Sequence, residues 1–288
     1  MKQHSKKKKL LSAAAYLLAA LLLLALINFL PAFSLKTPDM RQLSGTHVTV
    51  FYEKEEDAAK AVFELAEARG GELATLLGVP QTKPVELYIY DHQSVMQTKK
   101  YGLIAPLLHL DWYIGDNVGT KVLLTSPANP GSVHDSASVR NAVLHELVHA
   151  YNSLLNPKMT YWVDNGLAGY LSGQQPDYPV ASYSPVPTLA QTQTSGILTP
   201  ITFERFGGYA YSYTYIEYLS ATYGWDAVKA FAKNGDYRAA FGVDEAAIYD
   251  AWTAFVKGAY SEYNQQKNAR RMIRRARGTH SCAFFAIL

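Results

Sequence analysis

Residues 142–150 read A-V-L-H-E-L-V-H-A and place His145, Glu146 and His149 within one predicted helix. Side chains four positions apart lie on the same face of a helix, so the two imidazoles can converge on one metal ion beside the carboxylate. Zinc favours such nitrogen ligands, and a neighbouring carboxylate can take a proton from water. The stretch therefore predicts a metal-dependent hydrolytic site in which His145 and His149 are ligands and Glu146 is the general base.

The residues around this stretch also favour a helix. Asp135, Ser136 and Ser138 are candidate N-caps ahead of the apolar run. Neither Pro nor Gly occurs between these residues and Pro157. The alternative interpretation is an ordinary core helix whose histidines only find hydrogen bonds.

The basic charge is concentrated near the two ends of the sequence. The net charge is +3, from 27 basic and 24 acidic residues, but five lysines fall within residues 1–9 and six basic residues within 267–277. The remainder carries 16 basic and 24 acidic residues. This acidic body argues against nucleic acid as a partner. The tail at 267–288 is predicted to be an interfacial or disordered segment.

Residues 10–30 form an uncharged apolar stretch directly after the lysine cluster. At 1.5 Å per residue, a helix of this length spans about 30 Å, the thickness of a bilayer core. The lysines predict a cytoplasmic segment at 1–9 and an extracytoplasmic body in a single-pass protein of the cell membrane. A secreted protein with a cleaved signal peptide is the alternative, but 30–34 (L-P-A-F-S) is a poor cleavage site.

The body shows alternating strand and helix patterns before the metal helix. Strands are predicted at 46–52, 85–90, 112–114 and 121–125, the last two joined by a turn at Asp116-Asn117, and a helix broken at Gly70-Gly71 is predicted at 58–77. After the metal helix, helical spacing recurs at 211–221, 226–233 and 245–260. We therefore expect an α+β fold with a mixed sheet and a mostly helical C-terminal subdomain. An edge strand of such a sheet could bind a substrate peptide.

A second motif follows the metal helix, since residues 161–170 read Y-W-V-D-N-G-L-A-G-Y. Here the chain resembles the gluzincins, H-E-x-x-H metallopeptidases whose second motif reads W-x-x-E-G-x-A-x-Y and supplies a glutamate as third zinc ligand. Within that superfamily it is similar to the peptidase MA-like membrane or secreted metallohydrolases. The run at 208–219 is similar to a helix that those proteins carry next, so the resemblance covers residues 46–255.

The resemblance implies a zincin-like hydrolase domain, a zinc cofactor and a peptide or protein substrate. The implied organisation is a linker at 31–45 and a peptidase domain at 46–266, tethered to the membrane through residues 10–30. No G-x-M-E-N-like segment precedes the metal helix, so the glutamate by which zinc aminopeptidases bind a free N-terminus is not visible. This favours an endopeptidase.

The third ligand departs from the family pattern, because Asn165 stands where the glutamate is expected. Three possibilities remain open. Asn165 ligates through its neutral amide oxygen in a weak site; Asp164 replaces the glutamate, although it is rotated by about 100° on the helix; or the site is degenerate and the protein is an extracytoplasmic binding module.

Related enzymes place a tyrosine or histidine from a downstream helix on the oxyanion. Tyr211, Tyr213 and Tyr215 are the candidates here, with core packing as the alternative role for each. Core packing is the favoured role of Trp162 over substrate contact. The tyrosine-rich second half could instead stack against sugars, which gives cell-wall binding without hydrolysis as the competing function.

Overall fold

A computed structural model describes residues 2–176, 180–182, 184–196 and 199–259 of the chain. Within these residues the fold is α+β, with eleven α-helices and a mixed five-stranded sheet. The chain divides into two compact units at the boundary between Leu154 and Leu155. The predicted tail at 267–288 and the last residues of the predicted domain lie outside the described residues.

The first unit carries the sheet. Its elements are α1 (Lys2–Phe29), β1 (Arg41–Ser44), β2 (Val48–Tyr52), α2 (Glu56–Leu77), β3 (Val85–Tyr90), α3 (Gln93–Tyr101), β4 (Gly115–Val118), β5 (Lys121–Thr125) and α4 (Ser136–Leu155). The strand order is β1-β2-β3-β5-β4. The pairs β2–β3 and β3–β5 are parallel, and β1 and β4 pair antiparallel at the two edges.

The central strands of this sheet are buried on both faces. Successive side chains of a strand point to opposite faces, and Val122, Leu123 and Leu124 of β5 are all fully buried. The same holds for β3 from Leu87 to Tyr90, none of which is more than 3% exposed. Helix α2 packs on β2, and α3 packs on β3 and β5; such helical cover is usual for parallel strands.

Helix α2 continues through Gly70-Gly71, where the sequence pattern predicts a break. The reason is a close approach to the start of β2. A Cβ atom on Gly71 would meet the His47 ring at 2.6 Å, and one on Gly70 would meet His47 Cβ at 3.0 Å. The two glycines therefore allow the helix to pack against His47 rather than interrupting it.

The β4–β5 hairpin differs from its prediction. β4 begins at Gly115, beyond the predicted strand at 112–114, so Asp116 and Asn117 are strand residues and not a turn. The turn falls at Gly119, whose φ of 60° is left-handed. Strand β1, in the predicted linker, and helix α3 were not predicted, whereas the strands at β2, β3 and β5 are confirmed.

The second unit is helical in its described part, as predicted. It contains α5 (Tyr161–Ser172), α6 (Leu189–Thr192), α7 (Thr199–Arg205), α8 (Gly208–Tyr223), α9 (Trp225–Asn234), α10 (Tyr237–Phe241) and α11 (Glu245–Ala254). Its core is aromatic: the buried Trp252 ring lies 5.5 Å, centroid to centroid, from the rings of Trp162 and Tyr215. The prediction that Trp162 is a core residue is confirmed.

Helix α1 is the one described helix that is long and apolar enough to cross a membrane, over the 23 residues Leu11–Phe33 that include the following 3-10 turn. None of the side chains in this span is buried. A signal sequence near the N-terminus has the same properties. The apolar helix is thus confirmed, and its retention and orientation stay predictions.

Candidate functional site

Helix α4 carries the H-E-x-x-H residues, as the sequence predicts. Asp135 Oδ1 accepts a hydrogen bond of 2.7 Å from the backbone N–H of Ser138 at the start of the helix. One turn separates His145 from His149, and their ring centroids lie 4.7 Å apart with the ring planes at 76°. Both histidines are half-buried. The two imidazoles are thus adjacent on one helix face, which is the arrangement that metal ligation requires.

Strand β4 holds the Glu146 side chain in place. A Cβ atom on Gly115 would meet Glu146 Oε1 at 2.8 Å and Cγ at 3.0 Å, so the carboxylate lies directly against the strand backbone. Asn117 Nδ2 donates a hydrogen bond of 3.0 Å to the backbone O of Glu146. Glu146 is only 8% exposed. The edge strand of the sheet and the predicted general base are therefore in direct contact.

A partly buried acidic residue lies beside this contact, with its side chain 17% exposed. Asp116 on β4 accepts hydrogen bonds from the Tyr113 hydroxyl and, at 3.0 Å, from Lys100 Nζ. Burial raises the pKa of Asp116, and the charges of Lys100 and His149 act against that increase. The electrostatic interaction of Asp116 with His149 indicates that this carboxyl group lies in the neighbourhood of the predicted ligands.

Sequence reasoning missed Gly115, Asp116 and Asn117 as site residues because Asp-Asn was interpreted as a turn. The position of the turn in the sequence is the signal that could have identified them. Gly119 is the better turn residue, and moving the turn there makes 115–118 the strand that pairs with 121–125 in the hairpin before α4.

The donor set of the first unit fits zinc in part. His145 and His149 supply two imidazole nitrogens from one helix, the usual core of a zinc site. Within the part of the chain that the structure describes, no group of three or more His, Cys, Asp or Glu side chains is placed to hold a metal ion. The first unit thus supplies two of the predicted ligands, His145 and His149.

The predicted third ligands lie on α5 in the second unit. Asn165 is 3% exposed, and its Nδ2 donates a hydrogen bond of 2.9 Å to the backbone O of Tyr161. Asp164, the next residue towards the N-terminus, is half-exposed in the first turn of the helix. That one of these residues completes the metal site with the two histidines stays a prediction.

The neighbouring Gly166 has a packing role. A Cβ atom at this position would meet the backbone O of Ser212 at 2.5 Å and Ile216 Cγ1 at 2.8 Å. The glycine of the second motif thus lets α5 and α8 pack with their backbones close together.

The predicted oxyanion donors lie on α8 and are buried. The Tyr211 hydroxyl donates a hydrogen bond of 2.6 Å to the backbone O of Ser184, and that of Tyr215 donates to the Tyr237 hydroxyl at 3.1 Å. Tyr213 is 3% exposed and its ring lies 5.6 Å from that of Tyr170. Tyr211 and Tyr215 thus have structural partners within the unit, and the catalytic role predicted for Tyr211 and Tyr213 is untested.

Comparison with known proteins gives no match: no protein-family model, no curated protein and no solved structure matches this chain.

Proposed function

We propose that this chain is a membrane-tethered, extracytoplasmic zinc-dependent endopeptidase of the zincin type, with Glu146 as general base. The observation that carries the proposal is the contact between Glu146 and the edge strand β4, where the carboxylate lies against Gly115. A peptide that binds an edge strand by backbone hydrogen bonds lies alongside the strand. Peptide bonds added along β4 would therefore lie near the group that is to activate water.

The donor set supports the choice of metal. His145 and His149 would hold the zinc ion, with an oxygen ligand from Asn165 or Asp164 as third donor. When bound, zinc supplies a Lewis acid that polarises the scissile carbonyl and favours deprotonation of water. Asn165 makes this a weaker site than one with three charged or imidazole ligands, because a neutral amide binds zinc less strongly than a carboxylate.

The remaining steps, which are proton transfer, positioning and stabilisation of the oxyanion, fall to residues of the chain. Glu146 takes the proton of the attacking water and passes it to the leaving amine. Asn117 keeps α4 against β4 through its bond to the Glu146 backbone, which fixes the distance between base and peptide. Tyr213 would donate a hydrogen bond to the oxyanion, a contribution of the kind that is commonly worth a factor of about 10² to 10³. Tyr211 could do so only by giving up its hydrogen bond to Ser184.

The location at the membrane surface is part of the proposal. The lysines of residues 1–9 favour a cytoplasmic N-terminus, and α1 then places the chain that follows it on the opposite side of the membrane. The substrates would be peptides or proteins that are extracytoplasmic or adjacent to the membrane.

The test compares the full chain with two glutamate variants on an unstructured peptide library, with metal content measured by mass spectrometry. Glu146→Gln should lower the cleavage rate by a factor of about 10² or more and leave the zinc content near one per chain. Glu64→Gln, an exposed position on α2, is the matched control and should cleave like the wild type.

His149→Ala should lose the zinc. Cleavage that survives Glu146→Gln would exclude the proposed base. A wild-type chain that binds no zinc and cleaves nothing would favour the binding-module function.

A further inference from the structure

The only asparagine within the apolar span Leu11–Phe33 is Asn28, and its polar atoms bond to the chain just after α3. Its backbone O accepts a hydrogen bond of 3.0 Å from Leu103 N, and its Oδ1 accepts one of 3.0 Å from Ile104 N. Its Nδ2 donates to the backbone O of Tyr101 at 3.1 Å. One side of the membrane helix is therefore bonded to the folded unit through a single polar residue.

Gly102 makes this approach possible. Its φ is 79°, and a Cβ atom would lie 2.3 Å from Asn28 O and 2.5 Å from Asn28 Nδ2. Any other residue would be strained in this conformation and would also push α1 away. The absence of a side chain at Gly102 thus leaves the space that Asn28 occupies.

The segment that follows, Leu103–Leu108, which we term the apolar corner, presents large apolar side chains to the outside. Leu107 is 75% exposed, Leu103 55%, Ile104 48% and Leu108 36%. The segment Leu-Ile-Ala-Pro-Leu-Leu contains no charged or polar side chain. An exposed patch of this kind that adjoins a membrane helix indicates a membrane contact.

Several backbone donors of the apolar corner have partners within the fold, which a lipid environment requires. Asn28 accepts from the first two residues, as described. Ala105 N donates to Gly102 O at 3.0 Å, and Leu107 N donates to Ile104 O at 2.9 Å. Pro106 has no N–H to satisfy. The segment can therefore enter an apolar medium without exposing these groups.

The position of Asn28 along α1 sets the depth of this contact. Asn28 lies five residues before the end of the span at Phe33, so it is between one and two helical turns inside the span. Lys99 Nζ donates a hydrogen bond of 2.6 Å to the backbone O of Ser34, which follows the span directly. A lysine at the edge and leucines below it are the usual arrangement at a membrane interface.

We propose that the apolar corner is a second membrane-binding element, inserted into the interface of the lipid bilayer beside α1 and held there by Asn28. This depends on residues 11–33 being retained as an anchor, and it is independent of the peptidase activity. The first unit is then fixed on the membrane surface rather than suspended from a flexible tether. Removing α1 as a signal peptide would leave the N–H groups of Leu103 and Ile104 without these acceptors.

The test uses the full chain, with Cys282→Ser, reconstituted in vesicles of equal parts phosphatidylcholine and phosphatidylglycerol. An environment-sensitive fluorophore is attached at Leu107→Cys, and its quenching by lipids that carry a nitroxide near the headgroup is measured. The matched control is Val133→Cys, which is 58% exposed and follows the carboxyl end of β5. Helix α3 has nine residues and is about 14 Å long, and Leu107 follows it along the chain. The Leu107 probe can therefore lie up to about 14 Å further than the Val133 probe from that edge of the sheet.

Quenching several-fold stronger at Leu107 than at Val133 is the expected result. Equal and weak quenching at both sites would overturn the proposal. A Leu107 probe that is shielded from both water and lipid, and that crosslinks to a second copy of the chain, would also overturn it in favour of a dimer contact.

Asn28→Leu tests the role of the asparagine. It should reduce quenching at Leu107 while a probe at Leu18→Cys remains as deep in the bilayer as before. Unchanged quenching at Leu107 in this variant would show that Asn28 does not hold the apolar corner in the membrane.

Discussion

The carboxylate of Glu146 lies against the backbone of Gly115, where a Cβ atom would approach Oε1 to 2.8 Å. This contact joins α4 to the outermost strand of the sheet without any intervening side chain. The predicted general base and a backbone surface that could bind a substrate peptide are therefore next to one another in the first unit.

The first prediction concerns this contact. Gly115→Ala should displace the Glu146 carboxylate, because the added methyl group and the Oε1 atom cannot occupy the same space. A displaced base should lower the rate constant for peptide cleavage by a factor of about 10 to 10² while zinc content is unchanged. Gly258→Ala is the control, since a Cβ atom there has no neighbour within 4 Å. Equal activity of the two variants would show that the base acts from another position.

The second prediction concerns the third ligand. Asn165→Ala should weaken zinc binding, measured by competition with a chelator, because it removes the amide oxygen. Asp164→Ala should have little effect, since a neighbouring helical residue is rotated by about 100° and Asp164 is half-exposed. Asn165→Glu should bind zinc more tightly through a charged ligand, although it loses the hydrogen bond to Tyr161. The opposite ranking of the two alanine variants would assign the ligand to Asp164.

Apolar and branched residues predicted the main buried elements, and the sequence-based predictions failed where a close contact decides the local structure. The metal helix and the strands at β3 and β5 follow from apolar spacing and branched residues alone. Gly70 and Gly71 looked like a helix break because their role, to make room for His47, depends on a residue distant in sequence. Gly115 was overlooked for the same reason, since nothing in its neighbours along the chain indicates a carboxylate 31 positions away.

The third prediction separates two glycines of the second motif. Gly166→Ala should lower the free energy of unfolding by about 1 to 3 kcal/mol, because the methyl group would meet the Ser212 backbone, which cannot move aside easily. Gly169→Ala is the matched control on the same helix, with its nearest neighbour at 3.7 Å. It should be neutral or stabilising by up to about 1 kcal/mol through helix propensity.

Urea unfolding of the full chain in detergent measures both variants. Similar midpoints for the two would mean that α5 and α8 do not pack this closely in solution.

The last prediction concerns acid stability and Glu67 on α2. Its carboxylate accepts hydrogen bonds from the backbone N–H groups of Thr46 at 2.6 Å, His47 at 2.9 Å and Val48 at 3.0 Å, where β2 begins. Burial raises the pKa of Glu67, but these three donors outweigh it and leave the pKa below the ordinary value of 4.5. The ionised form therefore stabilises the fold above pH 4.5, and that stability is lost as the pH falls through the lowered pKa.

Glu67→Gln should destabilise the chain at neutral pH by about 1 to 3 kcal/mol, the usual loss for hydrogen bonds to a charged group. The difference from the wild type should shrink below pH 4.5, because the wild-type carboxyl is then progressively protonated as well. Glu64→Gln, exposed on the same helix, is the control and should follow the wild-type curve. Urea midpoints measured across the acid range test this, and a constant offset between Glu67→Gln and the wild type would show that the carboxylate charge contributes nothing to the start of β2.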